Sequence, residues 1–281
     1  MPAQIHWFPG HMSKALKEIE GRIKVVDVII ELFDARAPFS SINEDLEKVI
    51  KNKKRLVVLT KVDLADDIQT KKWIDKLSND YEKVIALDLT KPSAEKIISQ
   101  EVYNLGEDKR EKDKKRGLKP QPIRAMIIGI PNVGKSSFIN RVAKRSAAGV
   151  QNKPGYTRGE QWIKVNKDFE LLDTPGVLPM AYENKNKAAK LAILGSIRED
   201  ILPKTDLCIY LIDLLKNKYP DALRTRFEVE EITDYETIMD QICKRRGLLK
   251  AGSYDLERAE NLLLNEYKSG KLGKMTLEWV L

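Results

Sequence analysis

The spacing Gly129-x-x-x-x-Gly134-Lys135-Ser136 is where residue types and order in this chain first imply a chemistry. Glycines let successive backbone N–H groups turn inward around phosphate oxygens, and a helix starting at Lys135 adds the positive end of its dipole. A lysine at this place reaches the β- and γ-phosphates of a nucleotide, and the hydroxyl after it holds Mg²⁺. Asn132, Val133, Gly134, Lys135, Ser136 and Ser137 are the expected phosphate shell. Three further motifs serve the same chemistry. Asp173-Thr174-Pro175-Gly176 brings a carboxylate to the metal and the Gly176 N–H to the γ-phosphate. Thr157, inside Pro154-Gly155-Tyr156-Thr157-Arg158, offers Mg²⁺ a second hydroxyl. Thr60-Lys61-Val62-Asp63 reads the base. The Asp63 carboxylate can accept guanine N1–H and the exocyclic amine, whereas adenine would leave it unpaired, so such a site rejects the wrong base. The Lys61 stem can cover the purine. GTP or GDP with Mg²⁺ is the ligand this set implies.

The elements that must carry these motifs are legible. An apolar run from Met126 to Ile130 precedes the glycine loop, and Phe138, Ile139 and Val142 recur at helical spacing after it. Residues 25–33, 55–59 and 83–89 read as strands, alternating with helices over 43–52, 67–79 and from Ser93 to Gly106. That alternation predicts a parallel α/β sheet, whose ligands sit at the carboxyl ends of strands. Asp63 lies at such an end, as does the loop at Thr90-Lys91, a further candidate for the base side. Residues 161–165 and 168–172 read as a hairpin around Asn166-Lys167. From about residue 180 the pattern becomes helical, over 186–199, 205–217, 234–246 and 254–268, so a separate helical domain is expected over 179–281 after an α/β domain over 1–178.

The first residues are short and aromatic, with Trp7 and Phe8 most simply anchoring an arm to a core. Ser13 can cap a helix over 14–24, which completes an arm over 1–24. Residues 107–122 mix dense charge with Gly and Pro and read as a solvated helix end and linker or an RNA-contacting basic patch. The net charge of +8 is a mild bias toward polyanions and gathers at residues 120–181, next to the glycine loop. Cys208 and Cys243 have no metal-ligand spacing and read as reduced buried thiols of a cytoplasmic protein. No apolar run approaches membrane-spanning length.

The order of the motifs is unusual, because the base-reading Thr60–Asp63 precedes the phosphate loop. In this the chain resembles circularly permuted GTPases, with residues 107–122 as the new join. Permutation leaves a sheet intact when the original termini are close and the cut falls in a loop. The order, the arm Trp7-Phe8-Pro9-Gly10-His11-Met12, Asp34-Ala35-Arg36-Ala37-Pro38 and Pro154–Arg158 are together similar to the bacterial ribosome biogenesis GTPase A family of the YlqF/RbgA type, over essentially the whole chain. Thr60 stands where the base motif more usually has Asn. The resemblance implies a permuted P-loop GTPase fold and a C-terminal helical domain that binds RNA.

It also implies how hydrolysis works. The residue after the D-x-x-G motif is Val177, which cannot orient water as the glutamine of Ras-like proteins does. The family motif gives that task to His11, one of two histidines in the chain; the other, His6, reads as inert. Asn132 matches an asparagine that related GTPases use to ligate K⁺. The expected activity is slow GTP hydrolysis completed by docking on a ribosomal surface. The expected role is a switch in assembly of the large (50S) ribosomal subunit, with rRNA and its precursor particles as partners and a monomer off the ribosome. Lys244, Arg245, Arg246 and Lys250 are candidate RNA contacts or a solvated helix end. Another RNA-linked GTPase, serving for example tRNA modification, and a non-catalytic RNA-binding scaffold are the alternatives. The segment after Gly176 leads straight into the helical domain, so nucleotide state is expected to set that domain's orientation.

Overall fold

The computed structural model describes residues 5–6, 9–143, 162–179, 181–182, 184–198, 201–250 and 252–280, with backbone alone for 5–6, 9–11 and 181–182. Trp7, Phe8, Thr157 and the rest of Pro154–Arg158 lie outside the described residues.

The arm consists of β1 (Ile5–His6) and α1 (Pro9–Arg22). Ala15 and Ile19 of α1 are buried in a cluster with Ile29, Met126, Ile128 and Val177. Next comes β2 (Val28–Asp34), which is buried at every position because it runs between two strands with helices over both faces. Helices α2 (Pro38–Ser41) and α3 (Glu44–Ile50) follow. The Asn43 side chain caps α3 by accepting from the N–H groups of Asp45 and Leu46. Strand β3 (Lys54–Thr60) leads into the Lys61–Asp63 loop, and Asp66 then caps α4 (Asp67–Leu77). After β4 (Lys83–Ala86) and α5 (Ser93–Leu105), the charged segment expected to be a solvated helix end and linker forms a helix of its own, α6 (Glu107–Lys115). It is fastened by Lys54–Asp108, Lys109–Asp27 and Arg110–Asp168 ion pairs. A helix this polar has little to bury, and (i, i+4) charge patterning rather than an apolar stripe was its sequence signal.

Then β5 (Ile123–Gly129) delivers the glycine loop to α7 (Lys135–Ala143), whose Phe138 and Val142 are fully buried. Each such side chain contributes about 1.5–3 kcal/mol by leaving water. The hairpin is β6 (Trp162–Lys164) and β7 (Phe169–Leu172). These strands form one six-stranded sheet, ordered β4-β3-β2-β5-β7-β6 and parallel except for β6. The register sets Asp34 beside Thr60, and Leu32 beside Gly129, so the chain leaves β2, β3 and β5 along one edge. That edge is where the motifs meet.

Beyond β7, the short β8 (Ala181–Tyr182) pairs antiparallel with β1, joining the arm to the segment that follows the D-x-x-G motif. The helical part comprises α8 (Lys185–Ile193), α9 (Lys204–Lys218), α10 (Pro220–Phe227), α11 (Tyr235–Arg246) and α12 (Leu256–Lys268), with a small hairpin of β9 (Leu249–Lys250) and β10 (Ser253–Tyr254). One continuous buried cluster runs from Ile30, Leu32 and Ile127 of the sheet through Leu191 and Ile193 into Leu207, Leu211 and Leu263. The last residues return to the sheet. Met275 N–H donates to Leu64 O, Leu277 N–H to Arg36 O, and the Trp73 indole to Glu278 O. The Glu278 carboxylate accepts from the Phe39 and Ser40 N–H groups and from Lys190. Cys208 and Cys243 are free and buried, and burial pushes the Cys208 thiol up to about 12.

Candidate nucleotide site

The glycine loop has the backbone its sequence calls for. Gly129 and Gly134 have φ of 154° and 109°, and Asn132 is left-handed at 58°. A Cβ on Gly129 would lie 2.9 Å from Leu32 O, so a side chain there would meet β2. The Lys135 ammonium folds back over the loop and donates to Gly129 O at 3.0 Å and Ile130 O at 3.1 Å. Burial pulls its pKa down to about 8, an effect Asp173 only partly offsets. Desolvation in turn pushes the Asp173 carboxyl up, against the pull of Lys135. A half-buried cation solvated by carbonyl dipoles gains most from an anion placed beside it, which is what phosphate oxygens offer. The residues present therefore fit a polyphosphate.

The D-x-x-G segment is fixed to this loop at several points. Thr174 Oγ1 donates to Ile127 O at 2.6 Å, and Val177 N–H to Gly129 O at 3.2 Å. A Cβ on Gly176 would sit 3.0 Å from Pro131 N and from Lys135 Nζ, so only glycine leaves its N–H this close to the loop. Val177 is 1% exposed and packs in the cluster below α1. Its carbonyl accepts from Asn43 Nδ2, and the next N–H, of Leu178, lies 3.3 Å from Met12 Sδ. His11 precedes Met12 in α1, so its backbone is adjacent to this segment. Its side chain, like Thr157, is outside the described residues.

A cavity of about 530 Å³ opens beside the loop. Lys61, Asp63, Leu89, Thr90, Gly134 and Ser137 are among the residues that line it. Ser136 is exposed at the start of α7. Lys91 does not line this cavity; its ammonium is 3.9 Å from Asp88 at the surface. Thr60 lines it too, but its hydroxyl is wholly buried and donates to Val133 O at 2.6 Å, with Phe33 O at 3.1 Å. This threonine thus joins the end of β3 to the phosphate loop.

Some contributors were not read from the sequence. The Arg141 guanidinium donates to Leu89 O and Thr90 O and holds that wall against α7. Asp88 accepts from Thr90 N–H and Oγ1, shaping the same turn. The signal for Arg141 was only a cation in the last turn of a helix. Asn132 donates its side-chain amide to Gly195 O, linking the phosphate loop to the turn after α8. Asp34, fully buried at the end of β2, binds both Arg36 and Lys61. Among the basic residues near β9, Arg245 pairs with Glu230 and Glu228, and Arg246 donates to Arg226 O while lying over the Phe227 ring. Local structure therefore engages both, while Lys244 and Lys250 are exposed.

A phosphate loop between a parallel strand and a helix, with the base-reading loop supplied by strands that precede it, defines a circularly permuted P-loop GTPase fold. Residues 124–246 match the family model described as 50S ribosome-binding GTPase. The chain is 42% identical over 276 residues to ribosome biogenesis GTPase A of Bacillus cereus, covering 98% of this chain and 93% of that protein. It is 30% identical to mitochondrial ribosome-associated GTPase 1 of Ictalurus punctatus, over 97% of this chain and 92% of that one. The GNP-bound YlqF structure from T. maritima superposes with a TM-score of 0.65 at 26% identity, covering 95% of this chain and 98% of that chain. The chain belongs to the ribosome biogenesis GTPase A family. Among the described residues no helix is long and apolar enough to cross a membrane.

Proposed function

We infer that this protein is a GTP-hydrolysing switch acting in assembly of the large ribosomal subunit. The observation that carries it is the meeting of Gly134 and Ser137 of the glycine loop and its helix with Lys61 and Asp63 around one cavity, in a chain of this family. On this reading Lys61 and Asp63 take the guanine, Asn132 to Ser137 and Gly176 take the phosphates, and Thr90 borders the base. Ser136, Thr157 and Asp173 would hold Mg²⁺, which when bound would supply positive charge to the phosphate oxygens. The free face of the Asn132 amide, whose nitrogen is engaged by Gly195 O, offers an oxygen to K⁺.

The Lys135 ammonium leaves its carbonyl partners for the γ-phosphate, whose negative charge offsets the desolvation that pulls its pKa down. Val177 keeps bulk water from the site by packing beneath α1 rather than by hydrogen bonding. His11, on the same helix, then positions the attacking water. His11→Ala should slow turnover by at least about tenfold with GTP affinity nearly unchanged. Matching losses of affinity and turnover would instead give His11 a folding role.

The helical part, with Lys244 and Lys250 near its hairpin, contacts rRNA of the precursor particle; the protein works as a cytoplasmic monomer when off the particle. Intrinsic hydrolysis is slow because the attacking water is incompletely held, and docking completes the geometry. GTP turnover with and without purified 50S subunits tests this. Stimulation by about tenfold or more is expected. Turnover indifferent to subunits would point to another RNA-linked GTPase, and none under any condition to a scaffold.

A further inference from the structure

The Asp34 carboxylate is shared. Its Oδ1 accepts from Arg36 N–H and Nε, both at 3.0 Å. Its Oδ2 accepts from Nη2 of the same guanidinium at 2.9 Å, and the Lys61 ammonium lies 3.0 Å from that oxygen. Burial pushes the Asp34 carboxyl up, but Arg36 and Lys61 together outweigh it and hold it well below the usual carboxylate range. Asp34 is thus a fixed charge between two cations. One of them, Lys61, leans across the cavity wall from a left-handed backbone with φ of 55°. The other, Arg36, is 2% exposed and reaches away from the cavity: its third nitrogen donates to Lys268 O at the end of α12, and its carbon lies 5.8 Å from the Tyr267 ring centre. Its own carbonyl accepts from Leu277 N–H of the returning tail at 2.7 Å.

We propose that Asp34 is a positioning residue for guanine-nucleotide binding, and that through Arg36 it couples occupancy of the base cavity to α12 and the C-terminal tail. An unanchored lysine at residue 61 has many rotamers, and ordering its stem against a purine costs entropy. Asp34 removes that cost before the ligand arrives. Any shift of Lys61 toward a bound base then changes the share of the carboxylate left for Arg36. Arg36 is gripped by α12 and the tail, so the change is felt there. This inference rests on the reading of the cavity as a guanine site.

The test compares wild type, Asp34→Asn, the double variant Asp34→Asn/Arg36→Met, and Arg36→Met. The double variant removes both buried charges, so it keeps the question answerable if Asp34→Asn alone leaves Arg36 unpaired and does not fold. Affinities are measured for GDP and, by displacement, for inorganic tripolyphosphate, which lacks a base. The double variant should lose about tenfold or more in GDP affinity while tripolyphosphate binds as to wild type. A purely structural lesion would weaken both ligands alike, and unchanged GDP affinity would remove the positioning role; either result overturns the first half. Arg36→Met should keep GDP affinity within about threefold yet abolish the GDP-dependent change in hydrogen exchange over residues 256–268 and 272–280. Persistence of that change would overturn the coupling. Wild-type protein that fails to bind GDP would instead remove the underlying functional reading.

Discussion

Thr60 offers the sharpest perturbation, because one buried hydroxyl connects the two halves of the nucleotide site. Replacing it with valine keeps the β-branched shape and deletes only the donor. The hydroxyl is 0% exposed and lies 2.6 Å from Val133 O. Its loss leaves that carbonyl buried without its partner, which costs about 1–3 kcal/mol. Thr60→Ser keeps the hydroxyl and deletes a methyl group, worth roughly 1 kcal/mol. The hydroxyl reading therefore ranks valine as the more damaging change, and a packing reading ranks serine so. Urea unfolding followed by tryptophan fluorescence measures the ranking. Amide exchange in residues 130–136 locates it, since a loop released from β3 should lose protection there first. A valine variant as stable as wild type, or a serine variant less stable than valine, would refute the argument that this bond ties β3 to the phosphate loop.

Three other changes probe different parts of the site and core. Asp63→Asn should exchange two guanine-facing acceptors for a donor and an acceptor, lowering GTP affinity by about a hundredfold and raising that for xanthosine triphosphate; competition binding with both nucleotides reads it. Gly176→Ala would set a methyl group 3.0 Å from Pro131 N and Lys135 Nζ, so the mutant should still bind GDP but hydrolyse GTP at least about tenfold more slowly, as single-turnover assays would show. Glu31 is buried in β2 with one carboxylate oxygen lacking a hydrogen bond; burial first and Glu47 second push it up to about 8, against Arg55. A carboxyl raised in the folded state stabilises the protein fully only below its unfolded value. Stability should thus fall between about pH 4.5 and 8, by up to roughly 1.4 kcal/mol per pH unit. Glu31→Gln should flatten that slope, and superimposable pH–stability curves would contradict it.

The strands and the motif positions were legible because their signals are local. The apolar run before Gly129 and the helical spacing after Lys135 need no distant partner to be read. The same holds for the alternation of residues 55–105. What the sequence hid was set by tertiary contact. Helix α6 has no apolar stripe, and its ion pairs to Asp27, Lys54 and Asp168 join residues far apart in the chain. Asp34-Ala35-Arg36 carried only a resemblance in sequence. Its chemistry appears once β2 and β3 are in register and α12 has come back over them. The returning tail over 272–280 offers no periodicity, since it bonds by single backbone groups to Leu64, Arg36 and Trp73.

These contacts place the helical part against both sides of the cavity. Asn132 reaches Gly195 on the phosphate side, while Arg36 and the tail meet α12 and the base-reading loop on the other. A ligand shifts a conformational equilibrium only through contacts that differ between states. The candidates for such contacts are concentrated in a few consecutive residues. The first is Gly176, proposed above to face the γ-phosphate and packed against Pro131 and Lys135. Val177 N–H is held by Gly129 O, Val177 O by Asn43, and Leu178 N–H by Met12 in the arm. Any movement of Gly176 toward a γ-phosphate must therefore be transmitted to α1 within two residues. The arm that carries His11 also pairs through β1 with β8, just beyond the same segment. In an unpermuted chain this segment would lead on to the base-reading strands. Here it leads to β8 and the helical part, so on the proposed function one peptide displacement would both move the arm that carries His11 and change what the helical part presents to its partner.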